Sequence, residues 1–287
     1  LILACLPIGD WRDASIHLTS AIESAKYVAA EDSRKFARLC KDLNINHNAK
    51  VISFFEGNES ERIAELSAIL NSQKDILLVT DAGTPGISDP GYRLIQAALR
   101  DGVQIKVLPG PSAVTTALLL SGLPTDRFCF EGFPPRTKVA KDKWFESLGK
   151  EERTIIFFEA PHRISETLVA AAQAFGADRA AVICREMSKQ YEEVVRGSFS
   201  ELISWSESKD ILGEITVVVS GFDPATNHVA DTDLVEMVFI LMINTYLKTE
   251  NEKLSKEESI RLFNKRIGFI EYGVRKRDKK LGSLTDA

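Results

Sequence analysis

The run Ile76-Leu77-Leu78-Val79-Thr80-Asp81-Ala82-Gly83-Thr84-Pro85-Gly86-Ile87-Ser88-Asp89-Pro90-Gly91 decides how the chain is read. Residues 76–79 are apolar and are followed at once by turn residues, which reads as a buried strand. Residues 80–91 form a loop rich in Gly and Pro, and 92–100 are helix-compatible. An α/β domain builds a ligand site this way, at the carboxyl end of a strand, where backbone amides are exposed. Gly83, Gly86 and Gly91 can take positive φ and let a ligand approach the backbone. Pro85 and Pro90 stiffen the loop. Ordinary connections of this kind span roughly 2–6 residues, so this longer one favours a ligand loop over a plain turn.

The flanking chain repeats the pattern. Residues 1–5 read as a strand, with the loop 6–10 after it. A helix over 15–25 follows, with Asp13 or Ser15 as N-cap. Residues 27–30 form a strand that delivers Glu31-Asp32-Ser33-Arg34, after which Lys35, Arg38 and Lys41 share a helical face. A strand over 51–55, a helix over 60–70 and a strand over 104–108 lead to Pro109-Gly110-Pro111-Ser112-Ala113 and a small-residue helix. Residues 1–122 are therefore expected to be one α/β domain with a largely parallel sheet. Residues 123–223 read as a second α/β domain, with strands over 128–130, 153–158, 180–184 and 214–220. Its strands are closer together and some connections are hairpin-like, so a mixed sheet is expected. The basic stretch Arg136, Lys138, Lys141, Lys143 reads as a solvated loop or as a phosphate grip. Residues 224–287 change character: a polar linker, an apolar helix-compatible stretch over 234–246 and a basic stretch over 265–280.

A chain of 287 residues with 44% hydrophobic content can build its core without a disulfide or metal staple. The net charge of −5 argues against nonspecific nucleic-acid binding over the whole surface, though not against a local basic face. Cys5, Cys40, Cys129 and Cys184 are scattered, which fits reduced thiols in a cytoplasmic protein. No apolar run reaches membrane-spanning length, and no signal peptide is visible. There is no GxGxxG after the first strand, no GxxxxGK[ST] and no GxSxG. His162 has no partner His at metal spacing, so no metal site is expected.

Polar residues collect at strand ends in both halves, which points to a cleft shared by two sheets. His162-Arg163 reads as a helix N-terminal pair, with Arg163 bridging to a carboxylate such as Glu166, or as a phosphate contact. Arg185-Glu186 and the pair Asp32 and Arg34 carry the same two readings.

Six motifs then occur in order: Pro7-Ile8-Gly9-Asp10, Ala30-Glu31-Asp32-Ser33-Arg34, the loop 81–91, Pro109-Gly110-Pro111-Ser112-Ala113, Glu159-Ala160-Pro161-His162-Arg163 and Gly213-Glu214. Together they resemble the tetrapyrrole-methylase superfamily, and within it the branch that methylates ribose in small-subunit rRNA. The resemblance implies two α/β domains with S-adenosylmethionine between them, a homodimer, and 2′-O-methylation of a cytidine in the decoding region of 16S rRNA. It implies that Pro7, Asp81, Ala82, Gly83, Ser88, Ser112, Ala113 and Glu214 bind the cofactor. On the substrate side it implies Arg34, Arg163 and Arg185 as RNA contacts. Glu159, His162, Asp32 and Glu186 are then the candidates for accepting the hydroxyl proton. The sequence departs from the commoner pattern at Leu6, Asp10 and Ser33, and the segment beyond Asp223 matches poorly. Two rivals remain: a methyltransferase of the same superfamily acting on a tetrapyrrole or other small molecule, and a noncatalytic ribosome-associated RNA-binding module. The motifs at 7–10 and 159–163 favour the rRNA branch, and the intact loop 81–91 argues against a mere scaffold.

Overall fold

The structure, a computed structural model, describes residues 1–223 and 258. The expected helix over 234–246 and the basic stretch over 265–280 lie outside the described residues. Residues Leu1–Phe222 form one compact unit that contains two five-stranded sheets.

The first half alternates strand and helix: β1 (Ile2–Ala4), α1 (Ile16–Ser24), β2 (Tyr27–Ala30), α2 (Ser33–Asp42), β3 (Lys50–Ser53), α3 (Glu59–Asn71), β4 (Leu77–Val79), α4 (Tyr92–Arg100), β5 (Lys106–Leu108) and α5 (Ala113–Ser121). The strands pair in the order β3-β2-β4-β1-β5, all parallel, as expected. Side-chain alternation explains how both faces are covered. Leu77 and Val79 point to the layer holding Leu18 and Ile22 of α1 and Phe36 of α2. Ile76 and Leu78 point to the opposite layer, with Leu66 of α3 and Leu94 of α4. Each fully buried side chain of this kind contributes roughly 1.5–3 kcal/mol. The chain leaves β1 along one face toward β2, and leaves β4 along the other face toward β5. β1 and β4 are neighbours, so a crevice opens between their carboxyl ends, where open α/β sheets bind ligands.

The second half comprises β6 (Phe128–Phe130), α6 (Lys138–Leu148), β7 (Thr154–Glu159), α7 (Ile164–Phe175), β8 (Ala180–Arg185), β9 (Glu193–Ser198), α8 (Phe199–Glu207) and β10 (Ile215–Val219). Its order is β6-β7-β10-β8-β9, with β6 and β7 parallel and the other pairs antiparallel, so the sheet is mixed. One face packs on α6, α7 and α8 through Phe145, Leu168 and Phe199. The other face receives α5, with Val114, Ala117 and Leu118 against Ile156, Val182 and Val218. Thus α5 follows the first sheet in sequence but covers the second, which ties the two together.

One local expectation is corrected. The basic stretch 136–143 is largely helix α6, and Lys141 is buried there, 4% exposed. Ser198 and Glu201 form a capping box at the start of α8.

Candidate active site

Parallel strands place the loops after β1, β2, β4 and β5 on one edge of the first sheet. In the second sheet β10 runs against β7 and β8, with Ile215 opposite both Glu159 and Arg185. The amino end of β10 therefore lies beside the carboxyl ends of β7 and β8. These edges enclose a cavity of about 430 Å³. That volume falls in the range of about 300–1,000 Å³ typical of small-molecule sites.

Close approaches hold the rim together. Leu6 and Gly83 exchange backbone hydrogen bonds of 2.8 and 3.1 Å, which joins the loops after β1 and β4. Gly9 abuts the second half: a Cβ there would lie 2.6 Å from Ser188 Oγ and 2.7 Å from Met187 O. Gly91 takes φ +133° and starts α4 without a side-chain cap; Glu59 of α3 accepts its N–H at 3.1 Å instead. Ser88 holds φ +60° on the cavity wall, and Glu186 and Ser188 also have positive φ. Such conformations in non-glycine residues cluster at ligand sites.

The cavity is acidic. Glu31, Asp81, Asp89 and Glu214 line it, with Lys35 among them. Lys35 Nζ donates to Asp81 Oδ2 at 2.7 Å, and Glu31 accepts the Asp81 N–H at 3.0 Å. Asp81 Oδ1 is buried and has no partner. The Asp81 carboxylate raises the Lys35 ammonium above its usual value. Burial, aided by repulsion from Glu31 and Asp81, pushes the Asp89 carboxyl up to about 7. Burial, joined by the charge on Asp81, raises Glu31 as well. A cavity with this excess of carboxylates and one orphaned oxygen suits a cationic ligand and repels a phosphate.

Of the expected cofactor residues, Asp81, Ala82, Gly83, Ser88, Ser112, Ala113 and Glu214 line the cavity. Pro7 is buried behind it, and its neighbour Ile8 takes the lining position. The expected substrate side is placed differently from one residue to the next. Glu159 lines the cavity, but its side chain is fully buried and engaged. Thr167 Oγ1 donates to its Oε2 at 2.6 Å, the Ala160 N–H donates to its Oε1 at 2.7 Å, and Arg163 Nε lies 3.3 Å from Oε1. Arg163 donates to the carbonyls of Pro134 and Pro135 at 2.7 and 3.1 Å, so its partner is Glu159 and not Glu166. Lys141 donates to Thr167 Oγ1 at 3.3 Å and completes a buried chain.

Arg185 spans Glu193 at 3.0 Å and the Leu212 carbonyl at 2.9 Å. Glu186 accepts the Glu214 N–H at 2.9 Å and Lys189 Nζ at 3.0 Å. Burial opposes ionisation of Glu186, yet these two donors hold its carboxyl below the usual value. Asp32 caps α2 and accepts the Arg34 guanidinium at 2.8 Å, which keeps its carboxyl well below the ordinary range. His162 is exposed beside the cavity-lining Pro161, with no hydrogen-bond partner among the described residues. No group of His, Cys, Asp or Glu among the described residues forms a metal cluster.

Asp89 lies in the cleft beside Asp81, as the loop 81–91 leads one to expect. Glu31 and Lys35 are the lining residues that sequence reasoning misses: Glu31 sits inside a quoted motif, and Lys35 reads as part of a basic helical face.

The profile of the tetrapyrrole (corrin/porphyrin) methylases matches residues 1–203. The chain belongs to the tetrapyrrole methylase family. Within that family, the ribosomal RNA small subunit methyltransferase I of Mycobacterium tuberculosis (strain ATCC 25618 / H37Rv) is 49% identical over 224 residues, 78% of each chain. The protein of that name from Thermotoga maritima is 42% identical over 77% of this chain and 98% of its own. The one from Bacillus subtilis (strain 168) is 40% identical over 77% and 75%. Solved tetrapyrrole methylase folds superpose at lower identity. The methyltransferase CobJ gives a TM-score of 0.60 at 16% identity, covering 77% of this chain and 93% of its own. Diphthine synthase gives 0.56 at 18%, covering 76% and 88%. These two likenesses establish the fold alone.

Proposed function

We propose that this chain transfers a methyl group from S-adenosylmethionine to the ribose 2′-hydroxyl of a cytidine in the 16S rRNA of the small ribosomal subunit. The observation that carries the reading is the 49% identity, over 78% of both chains, to a ribosomal RNA small subunit methyltransferase I. The acidic cavity supports the cofactor, because a sulfonium and an ammonium both gain from carboxylates in a partly dry site. Bound there, S-adenosylmethionine supplies an electrophilic methyl group.

In this reading Asp81, Asp89 and Glu31 hold the positive ligand, and Lys35 limits their mutual repulsion. Gly83, Ala82, Ser112 and Ala113 offer backbone and small side chains that let the ligand sit close. The attacking hydroxyl must lose a proton to a group with a free lone pair. Asp32, Glu159 and Glu186 are engaged in pairs within the fold. His162 keeps its ring free at the rim and takes that role. Arg34, which Asp32 holds, and the exposed Arg136 and Lys143 are the basic groups available to RNA phosphates. Arg163 and Arg185 act through the loops they brace.

A cytoplasmic homodimer belongs to the same proposal. Its support is Val107 on β5 and Leu119 on α5, exposed by 52% and 74%. Among the described residues no helix is long and apolar enough to cross a membrane, and all four cysteines are free and buried.

The test incubates the full chain with labelled S-adenosylmethionine and small ribosomal subunits lacking the modification, then maps the label. One methylated ribose in 16S rRNA is expected. Label on a small molecule only, or none, would overturn the reading. His162→Ala in the same assay should lower turnover by about 100-fold or more. Unchanged turnover would remove the proton-acceptor role from His162.

A further inference from the structure

One part of the cavity wall is neither acidic nor small. Phe133 lines the cavity and is 53% exposed. The loop that carries it, 131–135, is braced at several points. The Glu131 N–H donates to the Ile156 carbonyl at 2.9 Å, and the Phe158 N–H donates to the Gly132 carbonyl at 2.8 Å. Arg163 grips the carbonyls of Pro134 and Pro135, and Pro134 is itself buried. The Phe133 ring meets Phe158 edge to face at 5.5 Å, and Phe158 meets Phe130 the same way at 4.8 Å. From the first half, Ile87 is also an exposed apolar cavity residue. The two loops meet here, since a Cβ on Gly132 would lie 3.9 Å from Ser88 Oγ.

An aromatic ring normally stabilises a fold by being buried. Here a braced loop holds the ring partly out in a ligand cavity, edge to face against Phe158, which Phe130 backs in turn. The buried chain Lys141–Thr167–Glu159–Arg163 ends on this same loop. We infer that Phe133 is the stacking surface for the nucleobase of the target nucleotide. The inference rests on the rRNA reading above and adds the group that holds the base. A ribose hydroxyl reaches an enclosed site only when its nucleotide leaves the helical stack. An aromatic face replaces the lost stacking without selecting strongly among bases.

The experiment compares wild-type enzyme with Phe133→Leu and Phe133→Trp, using the same unmodified subunits and labelled cofactor. Leu keeps the apolar bulk and removes the π face. Phe133→Leu should raise KM for the subunits at least about fivefold. Its dissociation constant for S-adenosylmethionine by calorimetry, and its melting temperature, should stay at the wild-type values. Phe133→Trp should recover most of the loss. Equal KM for Leu and Phe in an active enzyme overturns the inference. So does a matching loss of cofactor affinity, which would place the ring against the cofactor adenine. A wild type that methylates no rRNA overturns the functional reading and this inference with it, an outcome distinct from the other two.

Discussion

The two walls of the cavity handle charge in opposite ways. The wall from the first half carries Glu31, Asp81 and Asp89 with one ammonium, leaves Asp81 Oδ1 without a partner, and pushes the Asp89 carboxyl up to about 7. The wall from the second half buries Glu159 and Lys141, partly buries Arg163, and connects them through Thr167 and backbone carbonyls. One wall is poised for a cation that is not part of the chain. The other is satisfied within the fold and keeps its loops rigid. Both are rich in charged side chains, so charge content alone does not distinguish a binding surface from a brace. The distinction lies in whether partners are already in place.

The sharpest way to break this comparison is at Glu159. Glu159→Gln would leave Arg163 facing a neutral amide beside the fully buried position of Glu159, which should destabilise the fold by about 3–5 kcal/mol in urea unfolding. A loss under about 1 kcal/mol would show that the second wall is not a brace. Next comes Asp81→Asn, which should weaken S-adenosylmethionine binding roughly 10- to 100-fold by calorimetry, as expected for losing a charged partner. Its melting temperature should hardly move. A variant that binds as well as wild type would remove Asp81 from the cation site.

The smallest effect concerns pH. Asp89 rises from 3.8 to about 7 on folding, so the folded state keeps this proton to higher pH than the unfolded chain does. Its favourable contribution is complete below about pH 4 and is lost as pH rises through about 7. Asp89→Asn should therefore melt above wild type at pH 8, with the gap closing toward pH 4. A cationic ligand favours the ionised carboxyl. Wild-type cofactor affinity should thus fall from pH 8 to pH 6, and less steeply in the variant. Parallel profiles would show that Asp89 does not face the ligand.

Much of the architecture could be read along the chain. The apolar run at 76–79, the punctuated loop after it and the helix at 92–100 carry their own local signals, and α4 spans those residues. β6 and β2 also lie where the residues placed them. Ser198 and Glu201 carry the spacing of a capping box, a local signal for the start of α8. The stretch 136–143 misled because its basic residues mark solvent on average. Lys141 is buried where Thr167, on α7, accepts its ammonium, with the Glu166 carboxylate 4.0 Å away.

The sequence by itself determined the alternation of strands and helices, the ligand loop after β4, and six ordered motifs specific enough to indicate a family. Those features depend on periodicity and turn chemistry within a few neighbouring residues. The tertiary structure decided which charged groups face the cavity and which brace it. Lys35 meets Asp81 across 46 residues, and Glu59 holds Gly91 across 32. A carboxylate beside a buried partner and one facing a ligand cavity look alike in the chain, because what separates them is the geometry of groups brought together only by folding.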